Sequence, residues 1–214
     1  MIVLSGWDDT INEGSTCIIH TCREDLAKQL QTVKEWLKKV NRLNIVLTDT
    51  EAFKDGDIDN YAALLEELSD CIADMYANNR QVQLNLLTDR LLLTEMNNCN
   101  AGDNNITLAP NGCFYLCPAF YFDDKEDCIG NLKDGIDIKN QQLLRLDHAP
   151  LCRKCDAYQC KRCIWINQRL TLDANTPSHQ QCVIAHIERN ASRNLLEKLK
   201  ERGIMLRDSH EIKE

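Results

Sequence analysis

The feature that most constrains this chain is a run of four cysteines in 13 residues, LCRKCDAYQCKRC, at positions 151–163. Two Cys-x-x-Cys pairs, Cys152/Cys155 and Cys160/Cys163, are separated by four residues. Such a pair places both sulfurs on one side of a tight turn, so a single metal centre can take both. The run therefore predicts an irregular, cysteine-rich region organised around metal.

Reduced thiols fit the rest of the sequence better than disulfides do. The chain has 12 cysteines in 214 residues. Its first ten residues, MIVLSGWDDT, lack the basic segment of a signal peptide, and no run approaches the ~18 apolar residues of a membrane span. We therefore expect a cytoplasmic protein without a membrane partner, in which metal ligation explains the cysteines. A net charge of −8 counts against general nucleic-acid binding.

The first part of the chain, residues 1–98, alternates apolar strands with amphipathic helices and contains three of the cysteines. Such alternation predicts parallel βαβ units. The fold class is therefore α/β, as a partial, open βα array or a partial TIM-like barrel, because a closed eight-unit barrel needs ~200 residues or more. We expect strands at 2–4, 17–20, 44–48 and 82–87 and helices at 23–40 and 59–76.

The second part, residues 99–214, contains the other nine cysteines and is predicted to be a small irregular domain. Residues 106–108 and 114–116 flank a Pro-Asn-Gly turn, which indicates a β-hairpin. A loop follows over 123–150. The apolar spacing from 182 to 203 predicts a C-terminal helix.

Spacing also bears on the kind of metal. A zinc site with four cysteines usually separates its two pairs by about 15–20 residues, which leaves room to fold one pair back onto the other. Only four residues separate the pairs here, so sharing the sulfurs between two centres is favoured. An iron–sulfur cube takes one thiolate per iron and accepts ligands from scattered positions. Two alternatives stay open: a zinc-binding interaction module that contacts nucleic acid or protein, and a thiol–disulfide protein.

Basic residues surround the paired cysteines. They give the segment from Cys152 to Arg169 a net positive charge, which would stabilise an anionic cluster. These cations are Arg153, Lys154, Lys161, Arg162 and Arg169.

The order of the cysteines resembles that of a known family. It runs Cys99–x12–Gly112–x4–Cys117, a gap, Cys152–x2–Cys155–x4–Cys160–x2–Cys163, a gap, Cys182. This resembles the SPASM region of radical-SAM enzymes that modify peptides, although x4 and x2 stand where x5 and x3 are usual. The runs NNCNAGDNNITLAPNGCFYLCPAFYF and CDAYQCKRCIWINQRLTLDANTPSHQQC are more similar still to the CXXX repeat peptide maturase family.

The resemblance implies two [4Fe–4S] clusters. Cys152, Cys155, Cys160 and Cys182 would hold one of them. Cys99, Cys117 and Cys163 would hold the other, with Cys113, Cys128 or no protein atom as the fourth ligand.

The resemblance also implies a role. The chain would belong to a ribosomal-peptide maturation system and bind a cysteine-repeat (CXXX) precursor peptide, whose thiolate suits an open iron. A catalytic radical-SAM enzyme or an electron donor is the partner expected with it.

One motif of radical-SAM enzymes does not occur in the sequence. A C-x3-C-x2-C loop leaves one iron free for SAM, but Cys113-x3-Cys117 is followed three residues later by Phe120. We therefore expect no SAM site and no SAM cleavage by this chain alone, and the sequence assigns no catalytic residue. The chain is then either a truncated family member or a SPASM region kept for binding and electron transfer.

Overall fold

The apolar strands of the first part form a four-stranded parallel sheet in the computed structural model, which describes residues 1–96, 98–160 and 162–206. Strand order follows the chain, and the central β2–β3 pair runs in register from Thr16–Arg42 to Thr21–Leu47. The predicted mixed α/β class with a parallel sheet is confirmed. The strands are β1 (Ile2–Val3), β2 (Thr16–Thr21), β3 (Arg42–Leu47) and β4 (Gln83–Leu84).

Helices connect the strands, as the pattern predicted, with two local differences. The helix expected over 23–40 is divided at Gln29, whose backbone (φ −101°, ψ 17°) leaves the helical region. The strand expected over 82–87 ends early, because the side chain of Asn85 takes the backbone hydrogen bonds that a longer strand would make with Ile45. Its Oδ1 accepts from the Ile45 N–H at 2.8 Å, and its Nδ2 donates to the Ile45 carbonyl at 2.9 Å. The helices are α1 (Arg23–Lys28), α2 (Leu30–Leu37) and α3 (Asp55–Ala77).

The chain divides into two compact units, and the long C-terminal helix α6 (His179–Glu201) extends from one into the other. One unit comprises Met1–Thr94 and the chain from Val183, and the second comprises Glu95–Cys182. The sequence predicted a different division, between residues 98 and 99, with the whole C-terminal helix in the second domain. The difference arises because the apolar stripe of α6 joins the core of the sheet unit. The stripe consists of Ile184, Ala191, Leu195 and Leu199.

The second unit is built from short elements around a small core of its own. The predicted hairpin is confirmed: β5 (Thr107–Leu108) pairs antiparallel with β6 (Phe114–Tyr115), and Gly112 at the turn has φ +78°. Its other elements are α4 (Pro118–Asp123), the strands β7 (Gly130–Asn131) and β8 (Gly135–Ile136), and α5 (Ile164–Thr171). In the described part of the chain, none of the helices has the length and apolarity needed to cross a bilayer.

A largely buried ion pair fixes α6 within the sheet unit and gives a stability prediction. Arg90 Nη2 contacts Glu188 Oε2 at 2.8 Å, and the Tyr61 hydroxyl donates to Glu188 Oε1 at 2.8 Å. We expect Arg90→Met to lower the free energy of unfolding by about 2–3 kcal/mol, because it leaves a largely buried carboxylate without its cation. Urea denaturation measures the loss.

The matched control is Lys28→Met, which removes an exposed pair with Asp25 in the same unit. That change should cost no more than about 1 kcal/mol. Equal losses from the two substitutions would contradict the stabilising role of Arg90.

Candidate metal centre

Four thiols from two separate segments converge in the second unit. The thiol of Cys152 interacts electrostatically with those of Cys160, Cys182 and Cys155. The thiol of Cys182 interacts in turn with Cys160 and Cys155. We call these four the first thiol group. It is the set that the resemblance assigned to one cluster, although the cluster itself stays a prediction.

Tight turns place three of these thiols. Cys152 opens a single turn of 3-10 helix, which closes where the Cys155 N–H donates to the Cys152 carbonyl at 3.1 Å. The Ala157 N–H then points at Cys155 Sγ, 3.4 Å away, and the Cys160 N–H donates to the Ala157 carbonyl at 2.8 Å. These turns fix where the three sulfurs lie.

Neighbouring thiols disfavour the ionisation of Cys152 and Cys182. Burial raises the pKa of Cys152 to about 11, and Cys160 and Cys182 push it in the same direction. Burial, followed by Cys160 and Cys155, also raises the pKa of Cys182. A bound metal would supply the positive charge that these thiols need in order to ionise.

The raised pKa of Cys152 predicts how the stability of the metal-free chain depends on pH. The folded-state pKa of about 11 lies above the ordinary 9.0, so folding favours the protonated thiol. This contribution to stability is fully present below pH ~9 and is lost as the pH rises towards about 11. Urea midpoints should therefore fall between about pH 8 and about pH 10.5. A Cys152→Ala variant with the same pH dependence would contradict this assignment.

Cys99, Cys117 and Cys163 form a second thiol group. Cys117 directly precedes α4, Cys163 directly precedes α5, and Cys99 is exposed. Burial raises the pKa of Cys117, the thiols of Cys163 and Cys99 raise it further, and the backbone amides of Ala119 and Phe120 act in the opposite direction. The structure thus brings together the three residues that the resemblance assigned to the other cluster.

The two cysteines left open as a fourth ligand, Cys113 and Cys128, are close enough for their thiols to interact electrostatically. Cys113 is half-buried and Cys128 is exposed. Burial raises the pKa of Cys113, with Cys128 and Glu126 adding to the shift.

Arg162 is a buried cation whose special position the sequence did not reveal. Its side chain is 3% exposed, and its guanidinium donates to Asn175 Oδ1 and, at 3.2 Å, to the Leu144 carbonyl. Burial lowers its pKa, whereas Cys152 and Cys160 of the first thiol group and Cys99 of the second raise it. Among the described residues its Nε has no hydrogen-bond partner. Arg162 therefore brings positive charge to both thiol groups.

The other predicted cations are placed differently. Arg169 Nη2 binds Asp127 Oδ2 at 2.7 Å and its guanidinium also pairs with Asp123, so its charge is matched by carboxylates. Arg153 and Lys154 are exposed, and Lys161 lies outside the described residues.

The donor set fits a soft metal centre in kind. All candidate ligands are thiols, which suit zinc and iron–sulfur centres. As the described side chains are placed, no group of three or more histidines, cysteines or acidic residues could hold a single metal ion. No protein-family model matches the sequence, and no curated protein matches it.

Proposed function

We propose that this chain is a SPASM-type iron–sulfur protein of a ribosomal-peptide maturation system, acting in the cytoplasm. It would bind a cysteine-repeat precursor and support its modification together with a radical-SAM enzyme or an electron donor. The observation that carries the proposal is the convergence of Cys152, Cys155, Cys160 and Cys182.

Iron explains the arrangement better than one zinc ion. The two Cys-x-x-Cys pairs are divided between the groups: Cys160 interacts with Cys152 and Cys182, whereas Cys163 interacts with Cys117. One tetrahedral zinc would require both pairs to meet at a single point. A cube spreads its thiolates over separate irons, so it accommodates the divided pairs, and when bound it supplies electron transfer. Arg162 would offset the negative charge of such clusters.

An open cleft in the second unit offers a place for the peptide. Its volume is about 550 Å³, and polar residues line it together with Ile106 and Ile136, both exposed. Asn105, also in the lining, donates through Nδ2 to the Cys99 carbonyl at 2.6 Å, which connects the cleft to the second thiol group. That group has three thiols, so a cysteine of the peptide can supply a fourth.

Peptide binding tests the proposal. A fluorescent cysteine-repeat peptide should bind the iron-loaded full chain at least about tenfold more tightly than its serine counterpart, a difference of about 1.4 kcal/mol. Ile106→Asp should weaken binding, because it replaces an apolar contact with a third carboxylate beside Asp103 and Asp137. Leu170→Asp, an exposed apolar position on α5, is the matched control. Equal affinity for the cysteine and serine peptides, measured by anisotropy, would contradict the proposed substrate.

A further inference from the structure

We propose that the cleft in the second unit takes its peptide as an added β-strand along the free edge of β8, and that it selects a segment with a lysine or arginine next to an apolar residue. This binding mode rests on the proposed function, which places a peptide in the cleft.

Two strands of the second unit each leave one edge unpaired. In the part of the chain that the structure describes, β5 pairs with β6 alone and β8 pairs with β7 alone. A strand edge of this kind carries backbone N–H and C=O groups that an extended peptide can pair with.

The register of β8 shows which of its backbone groups face outwards. Ile136 lies opposite Gly130 on β7. The next N–H along the chain, that of Asp137, donates to the Ile129 carbonyl at 2.7 Å. In an antiparallel ladder such a bond flanks a pair that exchanges no hydrogen bonds of its own. The N–H and C=O of Ile136 therefore point away from β7, towards the free edge.

The cleft lies along this edge. Three consecutive residues line one of its sides, namely Ile136, Asp137 and Ile138. Successive side chains of a strand point to opposite faces, so a cleft over one face would meet only every second residue. Ile106, which directly precedes β5, is also in the lining. An extended segment in the cleft would therefore meet the outward backbone groups of β8.

The charges in the cleft indicate which peptide fits. Among the described residues its charged lining consists of two carboxylates, Asp103 and Asp137, without a lysine or arginine. Asp103 is half-buried and interacts with Arg162, whereas Asp137 is exposed. Asp137 is therefore the carboxylate that favours a cationic side chain of the peptide.

The order of residues along β8 adds an apolar neighbour to this cation. Ile136 and Asp137 point to opposite faces, and the side chains of a paired strand alternate in the same way. A residue that packs beside Ile136 and Ile106 would be apolar, and the residue next to it would meet Asp137. The effect of Ile106→Asp is thus separate from the charge preference at Asp137.

Charge variants of the peptide test the selectivity. The peptides are fluorescent serine counterparts of the cysteine-repeat peptide, with lysine, leucine or glutamate beside a central leucine. In anisotropy titrations of the iron-loaded full chain, the lysine peptide should bind about twofold to fivefold more tightly than the leucine peptide, and the glutamate peptide most weakly. Asp137→Asn should abolish this order. Asp124→Asn, at an exposed carboxylate outside the cleft lining, is the matched control and should preserve it.

Methylation of the peptide amides, one at a time, tests the added strand. Every second amide of a paired strand faces its partner, so affinity should fall at least about fivefold at alternate positions and stay unchanged between them.

Three results would overturn the inference. One is equal affinity for the lysine and glutamate peptides, or no binding of the lysine peptide at about 1 mM. Another is a loss on methylation that does not alternate. The third is a dimer of the peptide-free chain that the lysine peptide does not dissociate, which would assign the edge to a second copy. These peptides contain no thiol, so the outcome is separate from the comparison of cysteine with serine that tests the proposed function.

Discussion

Replacing Cys160 with serine should lower bound iron from about eight to about four atoms per chain, because one of two four-iron cubes loses a ligand. Cys163→Ser should cause the same loss through the other cube, since the two residues of this Cys-x-x-Cys pair lie in different thiol groups. Iron and sulfide analysis after anaerobic reconstitution measures both. The variant with both substitutions should retain almost no iron.

The control is Cys71→Ser, which should keep all of the iron because Cys71 lies on α3 in the sheet unit. A single zinc ion shared by both pairs predicts a different pattern. Either single substitution would then disrupt the one centre, and the double variant would lose no more than the singles. That pattern would contradict the assignment of two clusters.

Arg162→Met should lower the free energy of unfolding by about 2–3 kcal/mol, because it leaves two carbonyl acceptors without their donor. Asn175 Oδ1 and the Leu144 carbonyl would lose a donor, and thiols of both groups would lose a neighbouring positive charge. We also expect both clusters to be lost faster on exposure to chelator. The urea midpoint and the decay of visible absorbance measure the two effects.

Two further variants show which property of Arg162 stabilises the chain. Arg162→Lys keeps the positive charge but lacks the planar set of donors. Its free energy of unfolding should therefore lie between those of the wild-type chain and Arg162→Met. Arg153→Met removes an exposed cation of the same segment and should change stability by less than about 0.5 kcal/mol. If Arg162→Met behaved like Arg153→Met, the buried guanidinium would have no special role.

Hydrophobic periodicity predicted most of the sheet unit, because its strands and helices are long enough to show a clear period. Periodicity did not predict the end of β4, which depends on a single side chain. Asn85 interrupts an apolar run and takes over the hydrogen bonds of the ladder, so β4 ends at Leu84. The packing of α6 into the sheet unit was also missed, since an apolar stripe does not reveal which core it will join.

At the candidate site, the family resemblance implied which thiols share a centre, because the spacing of the cysteines alone does not say how the pairs are divided between two centres. The place of Arg162 could not be predicted in this way. Its burial depends on Asn175 and Leu144, which are distant in sequence, and five basic residues in the segment looked equivalent.

The metal content of the chain after anaerobic purification tests the central claim most directly. We predict a brown protein with about eight iron and about eight sulfide per chain, in keeping with two cubes held by separate thiol groups. A colourless protein with stoichiometric zinc and no sulfide would contradict it.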